Sequence, residues 1–271
     1  MNVMLKQKGT YIYAILMVIG TVFLITGCTS VYYEDSWLDS PTNQHPSLTD
    51  LSRLVSTRFS NPDSNTLTKP VIITVHGYSA TPFEWQEFAD YAESDGSVLV
   101  SRVLLGGHVD NIEVFTTTTW QDWGYPIIEE YRALVALGFS RISIAAASAG
   151  APLVLEPLAS EKLKELPPPR HLFFVDPFII PQDKNLNLIP LVGFIVGNVL
   201  EYDENTTEAE LFNWYRNRPY QTLIQLNKLI KRVRKLLKKN IVLDQASKRP
   251  PAKQVAFLRP LKEAKFLSLI F

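Results

Sequence analysis

Arg141-Ile142-Ser143-Ile144-Ala145-Ala146-Ala147-Ser148-Ala149-Gly150 is the stretch whose reading decides the fold. A short apolar run, bounded by polar residues, ends in a small-x-Ser-x-Gly sequence, and Ala151 to Leu158 then reads as helix. A serine on a sharp strand-to-helix turn needs small residues two before and two after it, and Ala146 and Gly150 stand there. Such a turn lifts the hydroxyl above the sheet. It also aims the N–H of the next residue, Ala149, at the place a substrate oxygen would occupy. Small residues around a serine also suit a plain helix start, so the reading needs the rest of the chain.

Working outward, Val71-Ile72-Ile73-Thr74-Val75 is β-branched and mostly apolar, as in a strand buried on both faces. It runs into His76-Gly77-Tyr78-Ser79-Ala80-Thr81-Pro82. Phe83 to Ser94 follows as an amphipathic helix, with Glu84, Glu87 and Asp90 as polar positions. A second strand, Val98 to Leu105, ends in Gly106-Gly107-His108. A threonine-rich loop leads to Trp120-Gln121-Asp122-Trp123, and helical spacing from Trp123 to Leu137 stops at Gly138. After the serine turn, Leu172 to Val175 reads as a strand ending at Asp176-Pro177. Strands alternating with helices imply right-handed crossovers and a mainly parallel sheet with helices on both faces.

The chain has 271 residues, enough for one α/β domain with little left over. Hydrophobic content of 46% supports a large core, and a formal net charge of zero argues against nucleic acid as a main partner. Lys6 and Lys8 precede an apolar stretch from Tyr11 to Ile25, which closes in Ile25-Thr26-Gly27-Cys28. That is the layout of a targeting segment, short for a spanning helix, which needs about 20 residues. Cys28 is the only cysteine, so no intrachain disulfide exists.

The Ile-Thr-Gly-Cys ending resembles a bacterial lipobox. The resemblance implies cleavage before Cys28, its acylation, and a chain held to a membrane of the bacterial cell envelope after export. An uncleaved signal anchor is the other reading. Strand-His76-Gly77-Tyr78, then Gly106-Gly107-His108, Trp120 to Trp123 and the Ser148 turn, in this order, resemble the α/β-hydrolase superfamily. The similar branch is the carboxylesterase and monoacylglycerol-lipase-like group, and the match spans Lys69 to Val242. It implies a serine hydrolase that cleaves carboxylic esters through an acyl-enzyme on Ser148, with the N–H groups of Ala149 and Tyr78 as oxyanion donors. No metal or cofactor is called for, and the implied partner is a small ester or lipid. His76 and His108 read as structural loop histidines.

The expected organisation is a signal peptide over 1–27, and a tether over 28–68 with a first small element around Ser47 to Phe59. The hydrolase core follows over 69–176, a cap insert over 177–218, a return helix and short strand over 219–243, and an atypical tail over 244–271. In the resembled group the insert covers the site, and Leu191, Phe194, Ile195 and Val199 would line an acyl pocket; an ordinary buried helix pair fits equally well. Thr207-Glu208-Ala209-Glu210 fits a capping box opening a helix through Trp214. Asn205-Thr206-Thr207 matches a glycosylation sequon and is read as chance. In the helix from Tyr220 to Lys239, Leu223, Leu226, Leu229, Ile230, Val233, Leu236 and Leu237 share one face and lysines and arginines cover much of the rest. This suits packing on the sheet better than lying on an anionic membrane.

One part of the pattern departs from the superfamily, whose order Ser, Asp or Glu, His calls for an acid and a histidine on later strands. Of His45, His76, His108 and His171, only His171 follows Ser148, and it precedes the strand at Leu172, at the end of the sheet away from the site. After Ile241-Val242-Leu243, read as the short strand, no Gly-x-x-Asp turn and no Gly-His loop occur. The tail reads as a truncated or frame-shifted end replacing the last strands, the acid and the base. Asp176 is the candidate acid, or a carboxylate capping the loop at Pro177; Asp244 is a weaker candidate. A non-catalytic lipoprotein that keeps the hydrolase scaffold is therefore the alternative function. A peptidase or acyltransferase on the same fold is not separable by sequence.

Overall fold

The computed structural model describes residues 59, 61–108, 112–180, 184–200, 214–215, 217–247 and 255–258. The targeting segment with Cys28, most of the element expected around Ser47 to Phe59, the sequon, and the helix expected from Thr207 lie outside these residues. All described residues belong to the unit Asp35–Phe271. Among them no helix is long and apolar enough to cross a membrane.

A short helix α1 (Ser64–Thr68), capped by the Asp63 carboxylate on Thr66 N–H, stands where the sequence reads as tether. Strand β1 (Val71–Val75) follows, then a 3-10 turn (Pro82–Trp85), α2 (Gln86–Asp95) and β2 (Leu99–Val103). Next come α3 (Ile112–Thr117), α4 (Trp120–Ala136), β3 (Ile142–Ala147), α5 (Gly150–Ala159) and β4 (Leu172–Val175). The insert holds a 3-10 turn (Lys184–Asn187), α6 (Ile189–Val196), and β5 (Val199–Leu200) paired antiparallel with β6 (Asn217–Arg218). The long helix α7 (Tyr220–Ser247) leads to β7 (Val255–Leu258).

The main sheet has the order β2-β1-β3-β4-β7, and every pair is parallel. From β1 the chain steps to β2 on one side, then returns to β3 on the other. This reversal places a crevice at the carboxyl ends of β1 and β3, where open α/β sheets bind ligands. β3 is buried along its whole length, as its apolar run requires. Helix α4 starts cleanly because Thr119 and Asp122 form a reciprocal capping box. Trp123 and Tyr131 on α4 are buried against the sheet core with Ile127 and Leu134, the helical spacing read from the sequence. The Gly106 N–H donates to Trp123 O, so the diglycine loop and the Trp120–Trp123 segment meet directly.

Two expectations are corrected. Ile241 to Leu243 continue α7 instead of forming a strand. The strand after that helix is β7, inside the segment read as an atypical tail, and it covers the free edge of β4. The β-branched Ile241 and Val242 prefer strands weakly, and a helix already running through Leu236 extends past them by cooperative propagation. On α7, Leu223, Leu226, Leu229, Ile230 and Val233 are buried, and Leu236 and Leu237 half-buried. That face packs chiefly on helices α5 and α6 rather than on the sheet itself.

Candidate active site

Ser148 stands at the bend between β3 and α5 with φ +44°, a left-handed conformation rare for a residue with a β-carbon. Strain of this kind persists only where neighbours fix it. Here the Ser148 N–H donates to Val175 O at 3.0 Å, and its carbonyl accepts from Phe178 N–H at 3.0 Å and Ala151 N–H at 3.2 Å. The loop after β4 therefore flanks the serine on one side. The loop after β1 flanks it on the other: a β-carbon placed on Gly77 would lie 3.2 Å from Ser148 Cβ and 3.7 Å from its Oγ. One placed on Gly150 would lie 2.7 Å from His76 O and 2.8 Å from Val75 O. The packing excludes a side chain at Gly150, one of the two small positions the turn calls for, and leaves tight space at Gly77.

The candidate oxyanion donors sit at the ends of these same elements. Ala149 is the first residue of the turn into α5, and Tyr78 follows Gly77 in the loop after β1. Neither backbone N–H donates to a protein acceptor among the described residues. The Tyr78 side chain turns away into an aromatic cluster with Phe115 and Trp123. Its phenol shares a 2.6 Å hydrogen bond with Thr222 Oγ1, and the Arg218 guanidinium lies 5.7 Å above its ring. Burial pushes the phenol pKa well up, outweighing Thr222 and Arg218, so it stays protonated at any ordinary pH.

His76 is fully buried and fully used: its Nδ1–H donates to Gly77 O at 2.9 Å and its Nε2 accepts the Leu105 N–H at 3.1 Å. Those partners fix one neutral tautomer and pin the site loop to the end of β2. Burial and the neighbouring His108 hold its pKa well below the usual histidine value. His108 packs among His76, Phe115 and Trp123, with Nδ1 on Gly106 O at 3.3 Å. Burial lowers its pKa to about 4. His171 precedes β4, and its Nδ1 lies 3.4 Å from Ser143 Oγ near the start of β3, at the end of the sheet opposite Ser148. All three act structurally in this arrangement, and among the described residues no histidine bonds the serine hydroxyl.

Asp176 directly follows β4, is exposed, and takes φ +42°. The neighbouring Val175 O and Phe178 N–H bond the Ser148 backbone, so Asp176 is on the correct rim of the sheet without an ion pair among the described residues. The apolar residues of the insert are not a closed lining: Phe194 is 71% exposed and Leu191 69%, with Ile195 and Val199 exposed as well. A buried helix pair is equally absent from this face of α6.

Sequence reasoning missed Glu84, placed on the solvent side of an amphipathic helix. Its Oε2 accepts the Gly77 N–H at 2.7 Å. The residue lies within the 3-10 turn Pro82–Trp85, whose tighter winding carries it off the face that a 3.6-residue period assigns.

No family model matches the chain, and no curated protein matches it. Solved structures do. The chain is similar to a structure described with the metagenome-derived lipolytic enzymes LipS and LipT, at 14% identity over 62% of this chain and 67% of that one, TM-score 0.53. Further matches are the monoacylglycerol lipase of Paleococcus ferrophilus (12% identity, 62% of this chain, 69% of that one, TM-score 0.45) and a soluble variant of the Saccharomyces cerevisiae monoglyceride lipase (13%, 63%, 62%, TM-score 0.47). With a parallel sheet reversing at β1, a strained serine between β3 and α5, and this likeness, the chain has the α/β-hydrolase fold.

Proposed function

We propose that the chain is a serine hydrolase that cleaves carboxylic esters through an acyl-enzyme on Ser148. The carrying observation is the strained Ser148 turn, held against side-chain-free Gly77 with the N–H groups of Ala149 and Tyr78 unengaged nearby. Oγ attacks the ester carbonyl carbon, and the two N–H groups take the charge that develops on its oxygen. Each such donor is worth about 2.7–4 kcal/mol of barrier. A small ester or lipid is the substrate class, in keeping with the lipolytic proteins the chain resembles in fold. Cys28, acylated after export, would hold the enzyme on a membrane of the bacterial envelope, within reach of lipid esters. Asp176 is the acid candidate on the rim of the same site.

The test is labelling by a fluorophosphonate probe. The wild-type chain is expected to label and Ser148→Ala is not; a wild-type chain that stays unlabelled rejects the proposal. A second reading has its own observation: His76 uses both ring nitrogens and His171 lies at the far end of the sheet. On that reading the chain is a non-catalytic lipoprotein that keeps the scaffold for binding, and serine-dependent ester turnover rules it out.

A further inference from the structure

Glu84 is held at the site by its own neighbour. The Trp85 indole N–H donates to Val75 O at 3.1 Å, which fixes the turn under the site loop and directs the preceding side chain at Gly77. One carboxyl oxygen, Oε2, takes the Gly77 N–H. The other, Oε1, has no hydrogen bond to a described residue. The position a Gly77 β-carbon would take is 3.6 Å from Glu84 Oε1 and 3.7 Å from Ser148 Oγ. A single region, kept open by glycine, is bordered by both oxygens.

The carboxyl group is suited to accept a proton. Burial raises its pKa to about 7, against the lowering effect of the Gly77 N–H. A base poised near neutral pH is the efficient one. No charged neighbour contributes to that shift. β1 has no titratable side chain, and β2 brings only Arg102, whose guanidinium donates to Gln86 Oε1. The titratable groups of α2, Glu87, Asp90, Tyr91, Glu93 and Asp95, are exposed. On the site loop His76 is neutral and doubly bonded, and Asp176 beyond the serine is exposed.

Resting on the ester-hydrolase reading of Ser148, we infer that Glu84 is the proton acceptor for its hydroxyl. As the Oγ–carbonyl bond forms, the hydroxyl proton passes to Glu84 Oε1 through one water in the space between the two oxygens. The ester C–O bond breaks, and the same proton leaves with the alkoxide as an alcohol. In deacylation a water gives its proton to Glu84 and its oxygen attacks the acyl carbon. The C–Oγ bond then breaks, and Glu84 returns the proton to Ser148. Protonation of Glu84 in each step also removes a negative charge from beside the developing oxyanion.

The experiment follows fluorophosphonate labelling rates of the full chain from pH 5 to 9. Glu84→Gln keeps an amide oxygen for the Gly77 N–H but cannot take the proton. Its rate at pH 8 is expected to fall at least about 100-fold, and the wild-type rise centred near pH 7 to vanish. Labelling of Glu84→Gln at the wild-type rate with the wild-type pH profile overturns the inference alone. A wild-type chain that labels at no pH overturns the Ser148 reading itself, and this one with it. Should Glu84→Gln melt below the assay temperature, Glu84→Asp decides: a slower rate that keeps an alkaline-rising limb supports the role, and a flat profile overturns it.

Discussion

The α-carbon of Gly150 faces the carbonyl oxygen of His76 so closely that a β-carbon there would sit 2.7 Å from it. The first turn of the helix after the serine thus rests on the backbone of the opposite loop. Gly150→Ala forces two backbone carbonyls apart, since Val75 O would lie at 2.8 Å as well. A loss of about 3 kcal/mol is expected by urea denaturation, at the upper end of overpacking costs.

Gly77→Ala is the milder wedge, with contacts of 3.2 Å to Ser148 Cβ and 3.6 Å to Glu84 Oε1. The neighbour that must give way is Ser148, whose Cβ is crowded, while Glu84 Oε1 stays in ordinary contact. Labelling by fluorophosphonate is expected to drop about tenfold, less than the ~100-fold of a 1 Å misplacement because the shift needed is smaller, while the far-UV spectrum stays unchanged. Unchanged labelling contradicts the crowding described.

Ionisable groups at the site give two pH windows of opposite sign. Glu84 has a folded pKa raised from 4.5 to about 7, so the folded state binds the extra proton between those values. Its contribution is complete below pH 4.5 and is lost as pH rises through 7. The cost at pH 8 is of order 3 kcal/mol, and Glu84→Gln is expected to be more stable than wild type there and equal to it near pH 4.

His108 works the other way, its folded pKa lowered from 6.5 to about 4 by burial. Its stabilisation is present above 6.5 and lost as pH falls through 4, and His76 adds to the same acid limb. Measured on Glu84→Gln, which removes the opposing carboxyl, denaturant midpoints should fall steadily from pH 7 to pH 4. A flat profile contradicts neutral burial of the two rings.

Away from the site, Glu156 is 1% exposed and receives Arg232 Nε at 2.6 Å and Lys162 Nζ at 2.8 Å, while both cations also lie over the Trp120 ring. Burial alone would raise the Glu156 pKa, but the two hydrogen bonds and charges outweigh it and hold it lowered. Arg232 is the link from α7 to α5. Arg232→Ala is expected to cost about 2 kcal/mol, less than a fully buried pair because the cation side is half in water. Equilibrium unfolding reads it.

Much of this was legible from residue order. The β-branched run at 71–75, the small residues at 146 and 150, and the apolar spacing along 123–137 each report a local constraint, and each element formed where read. What escaped depends on partners far apart in the chain. Glu84 looked like a solvent-facing position because helical periodicity knows nothing of a 3-10 turn or of Gly77 N–H waiting for an acceptor. The β7 strand was hidden because four residues are too short a run to read alone, and pairing with β4 completes them as a strand. Leu191 and Phe194 read as lining because hydrophobicity suggests burial, and α6 leaves them in solvent.

Tyr78 carries a second consequence. Its backbone follows Gly77 in the loop beside the serine, yet its phenol is fastened to Thr222 at the root of the long helix and its ring lies under Arg218 of the strand pair bounding the insert. One residue thus ties the loop beside the serine to the two elements that follow the insert. Tyr78→Phe would cut the hydrogen bond to Thr222 while leaving the backbone of the site loop in place, so the anchorage of that loop can be weighed separately from its amides.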